Sequence, residues 1–244
     1  MAKLRVHNIE SGPASSDVAL GISGDTIAVS SDSLKLNVWK DSGGNTLFQS
    51  DGAGTLSNVN SSFSGAGPKL ILSQTADASS SIEFTANIDS TYDKYLFVFV
   101  NIRPDTNGAI FGFQANADGG SGYDETITST AFHARHTETD SVAQLSYMAS
   151  QDQAQGTAYQ GLSYDAQNNA DDCMGGCLTV FSPSSTTFVK QWYAKVNEVI
   201  RNGTGGSSNN FMAGYFNTTS AIDEFSFKMS SGTFEGKIKL YGVT

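Results

Sequence analysis

At 244 residues with a formal net charge of −10, the chain is too acidic to favour nucleic acid or an anionic membrane as a partner. Its 39% hydrophobic and 11% aromatic content can supply a sizeable core, yet no apolar run approaches the length of a membrane-spanning helix. Only 16% of residues are charged, and 25 glycines with abundant Ser, Thr and Asn favour short strands joined by tight turns.

Met1-Ala2-Lys3-Leu4-Arg5 does not lead into an apolar signal-peptide region, so the expectation is cytoplasmic synthesis without general secretory export. The Asn-x-Ser/Thr sites at Asn60, Asn202 and Asn217 are then not glycan acceptors.

Residues 1–68 are rich in Ser, Gly, Asp and Asn and poor in large apolar side chains. Thr26–Val29 and Leu34–Trp39 are short strand candidates there. Asp-centred turns recur at Ser31–Ser33, Asp41–Asn45 and Asp51–Gly54, with Leu47, Phe48 and Leu56 between them. Too little apolar surface is available to bury a core alone, so this segment is expected to order against copies of itself or another protein. The Ser/Gly-rich run Asn58–Pro68 marks the boundary to a second domain, 69–244.

That domain opens with Leu70–Leu72 and Ser81–Phe84 and is organised around Tyr92–Tyr123. Tyr95–Val100 is an unbroken aromatic and β-branched run, too short for a helix, and reads as a strand. Both of its faces are apolar, so neither is expected to see much water. Turn formers at Arg103–Gly108 separate it from a second strand, Ala109–Asn116, which ends at Asp118–Gly122. The pair reads as a central antiparallel hairpin. Further strands are expected at Thr126–His136, Gln144–Ala149, Ala158–Ser163 and Leu178–Phe181. In Thr187–Ile200, Phe188, Trp192, Ala194, Val196 and Ile200 share one face at period two, with only Lys190 and Glu198 intruding. The opposite set, Gln191, Tyr193, Lys195 and Asn197, is mostly polar, which makes a long strand. Phe211–Phe216, Ile222–Phe227 and Lys237–Tyr241 complete an all-β chain: an extended β-rich anchor segment followed by an antiparallel jelly-roll-like sandwich.

Few residues suggest chemistry. Cys173 and Cys177 are too far apart in an extended strand for a disulfide unless a turn at Gly175-Gly176 closes the gap, and free, buried thiols are expected. His133 and His136 should face opposite sides of a strand, which argues against zinc. Asp165 with Asp171 and Asp172, or Asp118 with Asp124 and Glu125, could hold calcium, but the EF-hand pattern is absent. The sequence carries none of the nucleophile-elbow, zinc-protease or phosphate-loop motifs. The reading is a protein without catalytic residues, metal or cofactor.

The segments SIEFTANIDSTYDKYLFVFVNI (81–102), FHARHTETDS (132–141), FSPSSTTFVKQWYAKVN (181–197) and GKIKLYGV (236–243) resemble virion structural proteins of tailed, especially aquatic, bacteriophages. SGDTIAVSSDSLKLNVWKDSGGNTLFQSDGAG (23–54) is similar to the segment preceding such domains. The resemblance implies a jelly-roll-like knob, usually a homotrimer, displayed on the virion. Residues 1–68 would attach it to other virion proteins, and the knob would bind a host surface glycan or receptor. A capsid decoration protein and a lectin-like module are the alternatives. Polar, Gly-rich loops are the expected contact sites, with Arg103, Asp105, Asn107, Asp118, Tyr123, Asp124, Gln151, Asn202 and Asn209 as candidates.

Overall fold

A computed structural model describes residues 38–50, 53, 55–57, 59, 67–201 and 205–244. The chain divides into two units, Met1–Gly65 and Ala66–Thr244. Among the described residues all regular structure is strand, sixteen in number.

In the first unit β1 (Val38–Lys40), β2 (Thr46–Ser50) and β3 (Leu56–Ser57) form a three-stranded antiparallel sheet. Trp39 stacks on Phe48 directly opposite it, ring centroids 5.4 Å apart. The β1–β2 turn is set by Asp41, whose Oδ1 accepts hydrogen bonds from the Gly43 and Asn45 backbone N–H groups. The strand candidate Thr26–Val29, the turn Ser31–Ser33 and residues 34–37 lie outside the described residues.

The second unit is an antiparallel sandwich of two unequal sheets. Its strands are β4 (Lys69–Ser79), β5 (Ser81–Phe84), β6 (Lys94–Pro104), β7 (Phe111–Ala117), β8 (Ile127–Thr137), β9 (Ala143–Tyr147) and β10 (Ala154–Gly156). They continue as β11 (Gln160–Gly161), β12 (Met174–Phe181), β13 (Lys190–Val199), β14 (Gly206–Phe216), β15 (Ile222–Met229) and β16 (Phe234–Val243). The large sheet has the order β10-β8-β14-β13-β12-β6-β16-β4, with β9 also paired to β8. The small sheet is β11-β7-β15-β5. The chain passes repeatedly between the two sheets, as jelly-roll connections do.

Tyr92–Tyr123 is not a hairpin. β6 pairs with β12 and β16 in the large sheet, whereas β7 pairs with β15 and β11 in the small one. The turn after Pro104 carries the chain across the core, so that Phe99 and Phe111 meet edge to face at 5.2 Å instead of lying side by side. Burial drives this corner, because aromatic faces of two adjacent segments are better covered by each other than by water. Nor are both faces of β6 buried. Tyr95, Phe97 and Phe99 point into the core, while Leu96, Val98 and Val100 are half-exposed on the outer surface.

Phe84, Phe111, Phe113, Phe225 and Phe227 of the small sheet pack on Phe97, Phe99, Trp192 and Phe216 of the large one. β13 alternates buried and exposed along its whole length. Lys190 and Glu198 are indeed on its buried face, whereas Phe188, just before the strand, is 72% exposed.

Gly214 sits where β14 passes between Trp192 and Ser129. A Cβ there would lie 2.8 Å from the Trp192 ring and 2.5 Å from the Thr128 carbonyl oxygen. Gly214→Ala is therefore expected to lower stability by about 1–3 kcal/mol through overpacking. Chemical denaturation monitored by Trp192 fluorescence checks this; an unchanged midpoint would show that the strands separate freely.

Candidate functional site

The loop residues singled out from sequence do not gather into one site. β7 runs from one end of the sandwich to the other, so the Arg103–Gly108 turn before it and the Asp118–Glu125 loop after it lie at opposite ends. Several candidates are occupied structurally. Arg103 pairs with Glu235 at 2.8 Å, and Asp105 accepts hydrogen bonds from the Thr233 N–H and Oγ1–H groups. Those bonds, the Thr233 N–H foremost, hold the Asp105 carboxyl below its usual range. Gln151 is buried, and its carbonyl accepts a hydrogen bond from Gln160 Nε2. Asn209 lies within β14 rather than in a loop, and Asn202 is outside the described residues.

Asn107, Asp118 and Asp124 are exposed. Asn107 lines a polar cleft with Glu138, Asn169, Asp172 and Arg201. Arg201 is paired with Asp165 at 3.2 Å. Tyr123 is half-buried, and burial together with Glu83 and Glu224 raises its hydroxyl above the ordinary tyrosine range. Among the described residues, no three His, Cys, Asp or Glu side chains gather as metal ligands.

Beneath the large sheet lies a buried polar chain of which the sequence singled out only Glu198 and His133. Its Oε1 accepts hydrogen bonds from the Tyr164 backbone N–H at 2.5 Å and from Asn210 Nδ2 at 2.7 Å, while Oε2 has no partner. Burial pushes the Glu198 carboxyl up to about 7. Ser208 donates to Asn210 Oδ1 and lies 3.3 Å from His133 Nδ1, and His133 Nε2 lies 2.9 Å from Ser146 Oγ. Burial, aided by the Arg135 charge, lowers the His133 pKa and keeps the ring neutral. His136 points to the opposite face and pairs with Asp140. At the other end of β13, Lys190 donates to the Phe188 and Thr218 carbonyl oxygens, and burial lowers its pKa.

The most distinctive surface is the outer face of the large sheet. Cross-strand register aligns its side chains into two rows perpendicular to the strands. The first begins with Tyr147 on β9, Phe132 on β8, Phe211 on β14 and Lys195 on β13, each directly opposite the next. It continues through Cys177, Val98 and Lys239 to Ser73 on the edge strand β4. The second row passes Thr130, Ala213 and Tyr193. It then crosses Thr179, Leu96 and Tyr241 to reach Leu70. Phe132 and Phe211 stack at 5.0 Å with planes 7° apart, and Lys195 Nζ lies 5.4 Å over the Phe211 ring.

Phe132 is 44% exposed, Tyr193 48% and Leu145, beside the first row, 72%. These side chains form an exposed apolar and aromatic patch on the outer face, interrupted by Lys195 and Lys239. Both cysteines are free but not buried as expected: Cys173 is exposed, and Cys177 is half-buried in the first row, its thiol pKa raised by burial. The sequence did carry a signal for these rows, since Tyr193 is the large apolar residue on the otherwise polar side of β13. What it did not carry was the register that lines these residues up.

In comparisons with known proteins, no family model, curated protein or solved structure matches this chain.

Proposed function

We propose that this chain is a non-enzymatic structural protein of a bacteriophage virion. Residues 1–68 anchor it to other virion proteins, and the sandwich stands outside the particle as a tail-fibre-like adhesin for a host surface glycan or receptor. The observation that supports a contact protein most is the open apolar and aromatic face of the large sheet, carried on a rigid phenylalanine-rich core. The resemblance of segments 81–102, 132–141, 181–197 and 236–243 to phage virion proteins supplies the setting.

Deleting the gene from a phage that carries it tests the reading. Particles should still assemble but adsorb to host cells several-fold more slowly. Unchanged adsorption with less heat-stable particles would instead assign the protein to capsid decoration, and the adhesin reading would fall.

A further inference from the structure

The register of the large sheet indicates what covers its open face. We infer that two copies of this chain pair face to face through it, about a twofold axis that runs parallel to the strands between β12 and β13. The inference concerns assembly, departs from the homotrimer that the resemblance implies, and stands whether or not the chain belongs to a virion.

Rotation about such an axis reverses the strand order and leaves each row opposite itself. In the first row Phe132 then faces Lys239 of the second copy, Phe211 faces Val98, and Lys195 faces Cys177. In the second row Thr130 faces Tyr241, Ala213 faces Leu96, and Tyr193 faces Thr179. Large side chains in the second row thus meet small ones, the complementarity that lets two sheets interdigitate. The Lys239 ammonium comes onto the stacked Phe132–Phe211 pair, a cation–π contact made twice by symmetry. Lys195 leans over Phe211, away from the axis and from the second copy's Lys195, and the second copy's Lys239 arrives beside it on the same ring pair.

Size agrees with this pairing. Sheet twist limits close contact to the central strands. The six strands from β8 to β16, at ~4.8 Å spacing and each about nine residues long, present roughly 850 Å² per copy. A standard stable interface buries about 800 Å² per partner. A twofold contact also closes on itself, so it leaves no open surface from which fibres could grow.

Sedimentation equilibrium of the full chain tests the pairing. The expected species has twice the 25.8 kDa chain mass. Phe132→Lys puts like charges opposite Lys239 and should weaken pairing by about tenfold or more. Adding Lys239→Glu to it creates two symmetric ion pairs and should restore the dimer. Tyr193→Arg, which crowds Thr179, should dissociate it independently. A wild-type monomer in the high micromolar range, a trimer, or a double variant as weak as Phe132→Lys alone would overturn the inference.

Discussion

Phe227→Ala is expected to destabilise the second unit by about 3–5 kcal/mol, the cost of removing a fully buried phenylalanine from a packed core. Phe227 is 0% exposed, and its ring lies 5.0 Å from Phe97, 5.5 Å from Phe99, 6.0 Å from Phe84, 6.1 Å from Phe111 and 6.3 Å from Phe113. It is the ring on which both sheets converge, so the void left behind cannot be closed by moving one neighbour. At roughly 2–4 °C per kcal/mol for a unit of this size, the melting temperature should drop by about 6–20 °C. Phe188→Ala, at an exposed position, should stay within about 0.5 kcal/mol. Calorimetry on the two variants checks both numbers, and equal shifts would refute the assignment of the core.

Glu198 is expected to withdraw about 3 kcal/mol of stability as pH rises from about 4 to about 8, against an opposite trend from His133, whose pKa burial lowers, and Glu198→Gln should remove that withdrawal. Burial raises the folded-state carboxyl from the ordinary 4.5 to about 7. A raised acid is protonated in the folded chain over a range where the unfolded chain has already released its proton. Its contribution is therefore complete below pH 4.5 and lost as pH climbs through 7. Glutamine imitates the protonated form, and its amide oxygen can still accept from the Tyr164 N–H and Asn210 Nδ2. The carboxyl of Asp105, held low by Thr233, titrates below this window and has the opposite sign. Denaturation midpoints at pH 5 and pH 8 decide the matter: an equal pH slope in wild type and variant would mean that Glu198 is not the titrating group.

Local pattern made the class of fold and much of its strand content legible. Period-two alternation in β13 told inside from outside for every residue from Lys190 to Glu198, and it flagged those two as polar groups on the core face. Pairing was not legible. β6 lies between β12 and β16, strands distant in sequence, and nothing within Tyr92–Tyr123 distinguishes a hairpin from a corner that crosses the sandwich. Phenylalanine on both flanking segments satisfies either arrangement until the rest of the core is placed. The same gap hid the rows on the outer face, since each of Phe132, Phe211 and Tyr193 is only one apolar residue in its own strand. Turn composition instead drew attention to Arg103, Asp105 and Gln151, whose polar groups serve the fold. A loop rich in polar residues can be solvated or structural, and composition alone does not separate the two.

β4 and β16 enclose one edge of the large sheet as neighbours, with Lys69 directly across from Gly242. The path into the unit and the path out of it therefore share a single doorway about one strand spacing wide. A module of that kind can be spliced into a surface loop of a host protein without prising the host apart, or have its ends joined and its chain reopened elsewhere. The strand ladder would keep its order in every such arrangement, because no pairing depends on which residue is first. Heredity can shuffle this sandwich between longer chains at little structural cost, and so can a protein engineer.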